Sequence, residues 1–184
     1  MDWAAEFAGE AEGNGDRFIL LANGPGTRLV ELALTKRVDV DGLISTGFCG
    51  ALDPNLRVGD IFRSQESGRL LCADRVAVTA REKRELREKT GAAAVDMESA
   101  AVAKKAAEWG VPFQAIRVVS DTAHEDMPLD FNLYRDREGR FSRTRIGLAA
   151  MARPFTRVPA LLRLDRNCRI AAESLGNFFA DSRL

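Results

Sequence analysis

Ala94-Val95-Asp96-Met97-Glu98-Ser99-Ala100-Ala101 is the stretch on which the fold turns. A short apolar run ends in a carboxylate, and an alanine-rich segment follows as far as Trp109 and Gly110. Asp96 stands where it can cap a helix and Gly110 where it can close one, so the spacing predicts a buried strand leading directly into a helix over 97–109. Val111-Pro112 opens the next apolar run, Phe113 to Val119, which delivers Ser120-Asp121 into a polar loop over 122–126. Strand, helix and strand in succession belong to an α/β sheet, and a carboxylate at the carboxyl end of a strand sits where such proteins place their chemistry.

Upstream, Phe18-Ile19-Leu20-Leu21-Ala22 reads as a buried strand, broken at Asn23-Gly24-Pro25-Gly26 before a helix over 27–36 with Leu29, Leu32 and Ala33 on one face. Leu43-Ile44-Ser45 is a second strand entering a glycine-containing loop, Thr46-Gly47-Phe48-Cys49-Gly50, and Asp60-Ile61-Phe62 is a third. Residues 69–79 alternate through Val76 and Val78, and Ala80 to Lys89 reads as a charged helix ending near Gly91. Beyond Pro128, helices are expected over 145–152 and 159–179, with Pro154 and Pro159 between them. At 184 residues and 46% hydrophobic the chain supports one core and is short for two, so residues 1–184 read as a single α/β domain on one sheet.

No apolar run approaches the roughly 18 residues that cross a bilayer, and Met1-Asp2-Trp3 opens no basic-then-apolar leader, so a cytoplasmic location is expected. Cys49, Cys72 and Cys168 form no CxxC pair and have only His124 as a companion ligand, so reduced, mostly buried thiols and no metal centre are expected. Residues 1–130 carry 16 Lys+Arg against 22 Asp+Glu, whereas residues 131–184 carry 11 against 5. This basic tail reads first as solvated helix faces, with an anionic membrane surface as the alternative; no nucleic-acid partner is expected.

Residues 94–101, Gly110-Val111-Pro112-Phe113 and Ile116-Arg117-Val118-Val119-Ser120-Asp121 resemble successive signatures of purine nucleoside phosphorylases and methylthioadenosine/S-adenosylhomocysteine nucleosidases. Ser45-Thr46-Gly47-Phe48-Cys49-Gly50-Ala51-Leu52, followed by Leu56-Arg57-Val58-Gly59-Asp60-Ile61, is similar to the glycine-rich loop and Gly-Asp of that superfamily, and Gly24-Pro25-Gly26 to its earlier glycine turn. The resemblance implies a three-layer α/β/α fold with a central mixed sheet flanked by helices, lacking the usual first strand. It implies a homodimer acting on a small-molecule nucleoside. The implied reaction is cleavage of the N-glycosidic bond of an adenine-type purine nucleoside with inorganic phosphate as acceptor, needing no metal or organic cofactor. Hydrolysis by water, or nucleoside binding without catalysis, is the alternative.

Breaking the C1'–N9 bond develops positive charge on the ribose and negative charge on the departing base, and each needs a partner. By the resemblance, Asp121 is the general acid at the base, a role that needs a carboxyl able to hold a proton. Glu98 accepts hydrogen bonds from the ribose hydroxyls and Met97 packs on the sugar face. Val76 and Ser120 line the base pocket, and Thr46, Gly47 and Phe48 form the phosphate or nucleophile loop. Gly26, leading into a helix N-terminus beside Arg28, is a second set of backbone donors for phosphate. A dinucleotide reading fails, because the GxGxxG spacing is absent after Gly24 and Gly26, and His124 is read as a loop residue.

The chain departs from the superfamily at several points. It begins after the place where the first strand would lie, and Arg63 to Arg69 is nearly all that separates Gly59-Asp60 from the next strand. Phe48 stands where a small hydroxyl residue is expected and Val76 where a base-stacking phenylalanine is expected. Met127-Pro128-Leu129-Asp130-Phe131-Asn132 followed by Asp136-Arg137-Glu138-Gly139 looks more like the hopanoid-associated phosphorylase branch. That likeness implies adenosylhopane as substrate and weak membrane-surface association through the basic tail containing Leu161, Leu162 and Leu164.

Overall fold

The computed structural model describes residues 7–13, 16–22, 24–136 and 140–181. The motif of 94–121 folds largely as its spacing dictates. Strand β6 (Ala94–Asp96) turns through Met97 and Glu98 into helix α3 (Ser99–Trp109), which Gly110 ends in the left-handed region at φ 70°. The helix starts at Ser99 rather than 97, with Glu98 in the N-cap position; the Asp96 carboxylate reaches past Met97 and Glu98 to Ser99, whose N–H donates to Oδ2 at 3.0 Å and whose hydroxyl donates to Oδ1 at 2.7 Å. This leaves Met97 and Glu98 outside the helix, free to face a site. Strand β7 (Phe113–Asp121) follows, buried from Ala115 to Asp121.

Before this motif come strands β1 (Phe7–Gly13) and β2 (Asp16–Ala22), helix α1 (Thr27–Ala33), strands β3 (Leu43–Ala51), β4 (Ile61–Arg63) and β5 (Leu70–Cys72), and helix α2 (Ala80–Thr90). After it come a 3₁₀ turn (Phe131–Tyr134) and helices α4 (Arg143–Met151) and α5 (Pro154–Asp181). The central sheet is mixed, ordered β4-β7-β3-β6-β5, with β3 parallel to β7, β5 parallel to β6, and antiparallel pairs elsewhere. One layer of helix packs Val30 and Leu34 of the α1 region on Ala101, Val102 and Trp109 of α3. On the other side α5 crosses β7, β3 and β4, and Leu86 of α2 packs with Leu52 and Val95. The result is the expected helix–sheet–helix arrangement.

Four expectations are corrected. The segment Phe18–Ala22 is a strand but not a buried one, with Ile19 and Leu20 exposed, and it pairs antiparallel with β1 in a separate two-stranded sheet, so the domain has two sheets rather than one. Thr46 to Gly50 is not a loop: it continues β3, where in-register pairing with β7 overrides the turn signal of Gly47. The alternation of residues 69–79 yields a strand only at Leu70–Cys72, leaving Val76 and Val78 in irregular chain. Two helices follow Pro128 as expected, but the second begins at Pro154 and carries Pro159 inside it, so only Pro154 marks the break. Asn23 of the glycine turn and Arg137, Glu138 and Gly139 of the downstream motif lie outside the described residues.

Candidate active site

A β-bulge sets the geometry of the site. In the β3–β7 pairing Cys49 faces Val119 but Gly50 faces Asp121, so Ser120 is the extra residue. Inserting one residue reverses the alternation of side chains, which turns Asp121 to the face opposite Arg117. The glycines of β3 record the reversal. A Cβ on Gly47 would meet the Arg117 guanidinium at 3.0 Å, whereas one on Gly50 would meet Asp121 Oδ2 at 3.1 Å and Val95 Cγ1 at 3.5 Å. Strand β6 pairs only with Gly50 and Ala51, so among the described residues β3 has no β6 partner beside Thr46–Cys49. The sheet is open there, between the two faces.

Glu98 stands at this opening with Met97. Its Oε1 accepts the Gly26 N–H at 2.7 Å and its Oε2 accepts the Met97 N–H at 3.4 Å. Gly26, at φ 101°, is placed by the left-handed turn that starts α1, and Thr27 ties the same turn to the Met97 carbonyl at 3.3 Å. The Arg117 guanidinium lies 3.5 Å from Glu98 Oε2, but its shorter contacts are to Asp96 Oδ2 at 2.6 Å, the Ser45 hydroxyl at 2.7 Å and the Thr46 carbonyl at 3.1 Å. Burial pushes the Glu98 carboxyl above its ordinary value; Arg117 and the Gly26 amide oppose that rise without cancelling it. Burial also pushes the Cys49 thiol up, beyond the range in which it ionises near neutrality.

Asp121 is held by a residue that reading the sequence missed. Lys83, 1% exposed, donates from Nζ to Asp121 Oδ2 at 2.6 Å, to the Thr122 carbonyl at 2.7 Å and to the Glu125 carbonyl at 3.0 Å, using all three ammonium protons. The other oxygen, Oδ1, accepts from the Ser120 hydroxyl at 2.8 Å, whose single proton is shared with the Cys49 carbonyl at 3.3 Å. Spacing alone does not single out Lys83: it lies three residues before Leu86, but Lys89 lies three after it, and i and i±3 share a helix face.

Glu98, Gly47 and the Thr46 carbonyl gather around Arg117, with Met97 joined to Glu98 through its backbone N–H; Asp121 joins Lys83 to Ser120. Val76 joins neither cluster directly; its backbone is engaged by Asn132 at 2.9 and 3.0 Å. The side chains of Thr46 and Phe48 alternate to the face opposite Arg117, and Phe48 is 43% exposed. Both lie within strand β3 rather than in a loop. His124 is exposed in the loop after β7, as expected of a loop residue. The space beside Asp121, walled by Glu125, Met127, Pro128, Arg163 and Leu164, measures about 10 Å³, room for about one water. A roomier cavity of about 450 Å³ under α3, lined by Leu70, Cys72, Ser99, Ala103, Phe113 and Ala115, includes neither Glu98 nor Asp121. Among the described residues no helix is long and apolar enough to cross a membrane.

The site thus lies in a mixed sheet with helices on both faces and brings together a buried acid before α3, a second acid at an opening in the sheet, and a third at the end of a bulged strand. A model of the phosphorylase superfamily matches residues 62–150, spanning β4 to the body of α4. That match covers just under half of the chain. It is 46% identical over 50 residues to the 5'-methylthioadenosine/S-adenosylhomocysteine nucleosidase of Shewanella halifaxensis, covering 27% of this chain and 22% of that relative. The matched segment thus spans about a fifth of the curated relative's length. The fold is similar to that of the 5'-methylthioadenosine/S-adenosylhomocysteine nucleosidase of Neisseria meningitidis in complex with methylthio-immucillin-A, with TM-score 0.65, 20% identity and coverage of 94% of this chain and 83% of that one. It is also similar to that of the futalosine hydrolase of Helicobacter pylori, with TM-score 0.64, 16% identity and coverage of 93% and 81%.

Proposed function

We propose that this protein cleaves the N-glycosidic bond of an adenine-type purine nucleoside, with Glu98 and Met97 holding the ribose and Asp121 serving the leaving base. One observation carries the reading. The two carboxylates stand on either side of the opening beside β3, each with both oxygens already met by hydrogen-bond donors. Oriented acceptors of this kind suit a ribose diol at Glu98 and a proton exchanged with the base at Asp121. Lys83 and Ser120 position the Asp121 carboxylate, and Met97 supplies an apolar wall beside the cationic sugar.

Water suits the acceptor role better than phosphate. An anion needs several donors with spare capacity, and here Nη1 and Nη2 of Arg117 are engaged by Thr46, Ser45 and Asp96 beside Glu98, leaving the buried Nε without a hydrogen-bond partner. Two carboxylates there repel a third negative group. Adenine release from adenosine and methylthioadenosine, followed with and without inorganic phosphate, tests this. A rate independent of phosphate is expected, and a rate that vanishes without it overturns the hydrolytic choice. Asp121→Asn is expected to lower turnover by about 10²-fold with substrate affinity kept; a variant of full activity removes Asp121 from the chemistry.

A bulky apolar 5' substituent, such as that of adenosylhopane, is favoured by one surface. Leu148 and Met151 of α4 and Phe155 of α5 are 75%, 66% and 95% exposed, next to Arg153 and Arg157 in a tail of basic excess. Co-sedimentation with anionic vesicles at low salt is the expected result, and absence of binding removes the membrane part. A homodimer belongs to the same reading and is tested by light scattering of the purified chain.

A further inference from the structure

The chain after Asp121 runs as a strap between the two halves of the site. Thr122 and Glu125 give their carbonyls to Lys83, the Met127 N–H donates to the Val78 carbonyl at 2.7 Å, and Asp126 Oδ1 accepts the Ala80 N–H at 2.7 Å. Further on, Arg135 donates to the Asp74 carbonyl at 3.0 Å and crowds Gly26, where an added Cβ would stand 2.6 Å from its Nη2. Gly26 is the donor to Glu98. The strap therefore starts at the carboxylate assigned to the base and ends beside the residue that grips the carboxylate assigned to the ribose.

Between these ends lies Asn132. Its Oδ1 accepts the Val76 N–H at 2.9 Å, and its Nδ2 donates to the Val76 carbonyl at 3.0 Å and to Asp130 Oδ1 at 2.8 Å. These partners fix which end of the amide is oxygen, because Val76 and Asp130 supply one donor and two acceptors that only this orientation satisfies. An acceptor and an N–H donor separated by one planar carbon is also the pattern of N1 and the 6-amino group of adenine. The carboxamide of Asn132 thus presents to the Val76 backbone the same two-point complement that an adenine edge would present.

The geometry points to Asn132 as a resident mimic of the nucleobase: in the unliganded protein it occupies the backbone edge of Val76, and adenine binds by displacing it and lifting the strap. This rests on the nucleoside reading above. The affinity of the base is then lowered by the fraction of molecules in which the strap is closed, and weakening the closed state raises it. Asn132 acts here as a specificity device, since only a ligand with the acceptor–donor pair replaces both hydrogen bonds.

Calorimetry of adenine binding to the full chain and to Asn132→Ala tests it, with amide hydrogen exchange at Val76 as the second reading. Asn132→Ala is expected to bind adenine about tenfold more tightly, the release of two net hydrogen bonds. In the variant the Val76 amide is expected to exchange freely without ligand and to regain protection when adenine is added. Equal or weaker binding by a folded variant overturns the mimic and leaves Asn132 as a staple of the strap, while the nucleoside reading stands. A Val76 amide that stays unprotected with adenine bound also overturns it. If neither protein binds adenine or adenosine, the mimic and the nucleoside reading fall together.

Discussion

Glu98 and Asp121 are both largely enclosed carboxylates, and they are held in opposite ways. Glu98 rests on two neutral amides and a guanidinium whose shorter bonds go to Asp96, so its charge is shared out and burial prevails. Asp121 has an ammonium of its own at 2.6 Å, with no second carboxylate on that nitrogen. The first corner is a network in which one cation serves two anions; the second is a pair. A network and a pair fail differently when their cation is taken away.

Arg117→Met separates them most sharply. It strands Asp96, with a side chain 0% exposed, beside Glu98, and takes a donor from Ser45 and Thr46. Breaking a buried ion pair costs about 3–5 kcal/mol, and two stranded anions put this variant at the top of that range or beyond it. Lys83→Met strands one carboxylate and two carbonyls and is expected to cost about 3–5 kcal/mol in urea unfolding. A larger loss for Lys83→Met than for Arg117→Met would reverse the distinction and make the Asp121 corner the structural keystone. Arg117→Lys, which keeps charge but loses the planar fork, distinguishes the two roles if the methionine variant does not fold.

How well each corner could be read from sequence follows from the same difference. Asp96, Met97, Glu98 and Ser99 are consecutive, so buried acid, sugar wall and second acid were visible as one motif. Lys83 stands 38 residues from Asp121 in a helix where Arg81, Arg84, Arg87 and Lys89 are equally charged. Only the packing of Leu86 on Leu52 and Val95 shows which of these cations faces inward. The bulge at Ser120 was likewise invisible, because register depends on a partner strand and not on local pattern. Thr46–Gly50 was misread as a loop for the same reason: Gly47 signals a turn locally, and the pairing of β3 with β7 decides otherwise. The hairpin of β1 and β2 shows that a well-read strand does not announce its neighbour.

The pH dependence should show the difference more gently. Burial raises the Glu98 carboxyl above its ordinary 4.5, so on acidification it takes up a proton earlier than a free glutamate and stops accepting from a ribose diol. The acid limb of kcat/KM for adenosine is expected above pH 4.5, and Glu98→Gln should abolish that limb along with most of the activity. Stability moves in the other sense. A raised folded value means that this group's contribution is fully present below 4.5 and is lost as pH rises through the folded value, so Glu98→Gln should flatten the decline. An acid limb unchanged in a Glu98→Gln variant of residual activity assigns it to another group.

The smallest effect belongs to Ser120, and it tests which contact orients Asp121. Its hydroxyl has one proton for two acceptors, Asp121 Oδ1 at 2.8 Å and the Cys49 carbonyl at 3.3 Å. Ser120→Ala removes that proton while Lys83 still holds Oδ2, so a loss of about 1 kcal/mol in stability and less than tenfold in turnover is expected. The ammonium fixes one oxygen, but a carboxylate held at one oxygen still rotates about its Cβ–Cγ bond. Ser120 is what opposes the rotation, and the bulge is what puts Ser120 there. If Ser120→Ala lowers turnover as much as Lys83→Met with stability intact, orientation outweighs charge pairing at Asp121, and the bulge rather than the ion pair is the element the chemistry depends on.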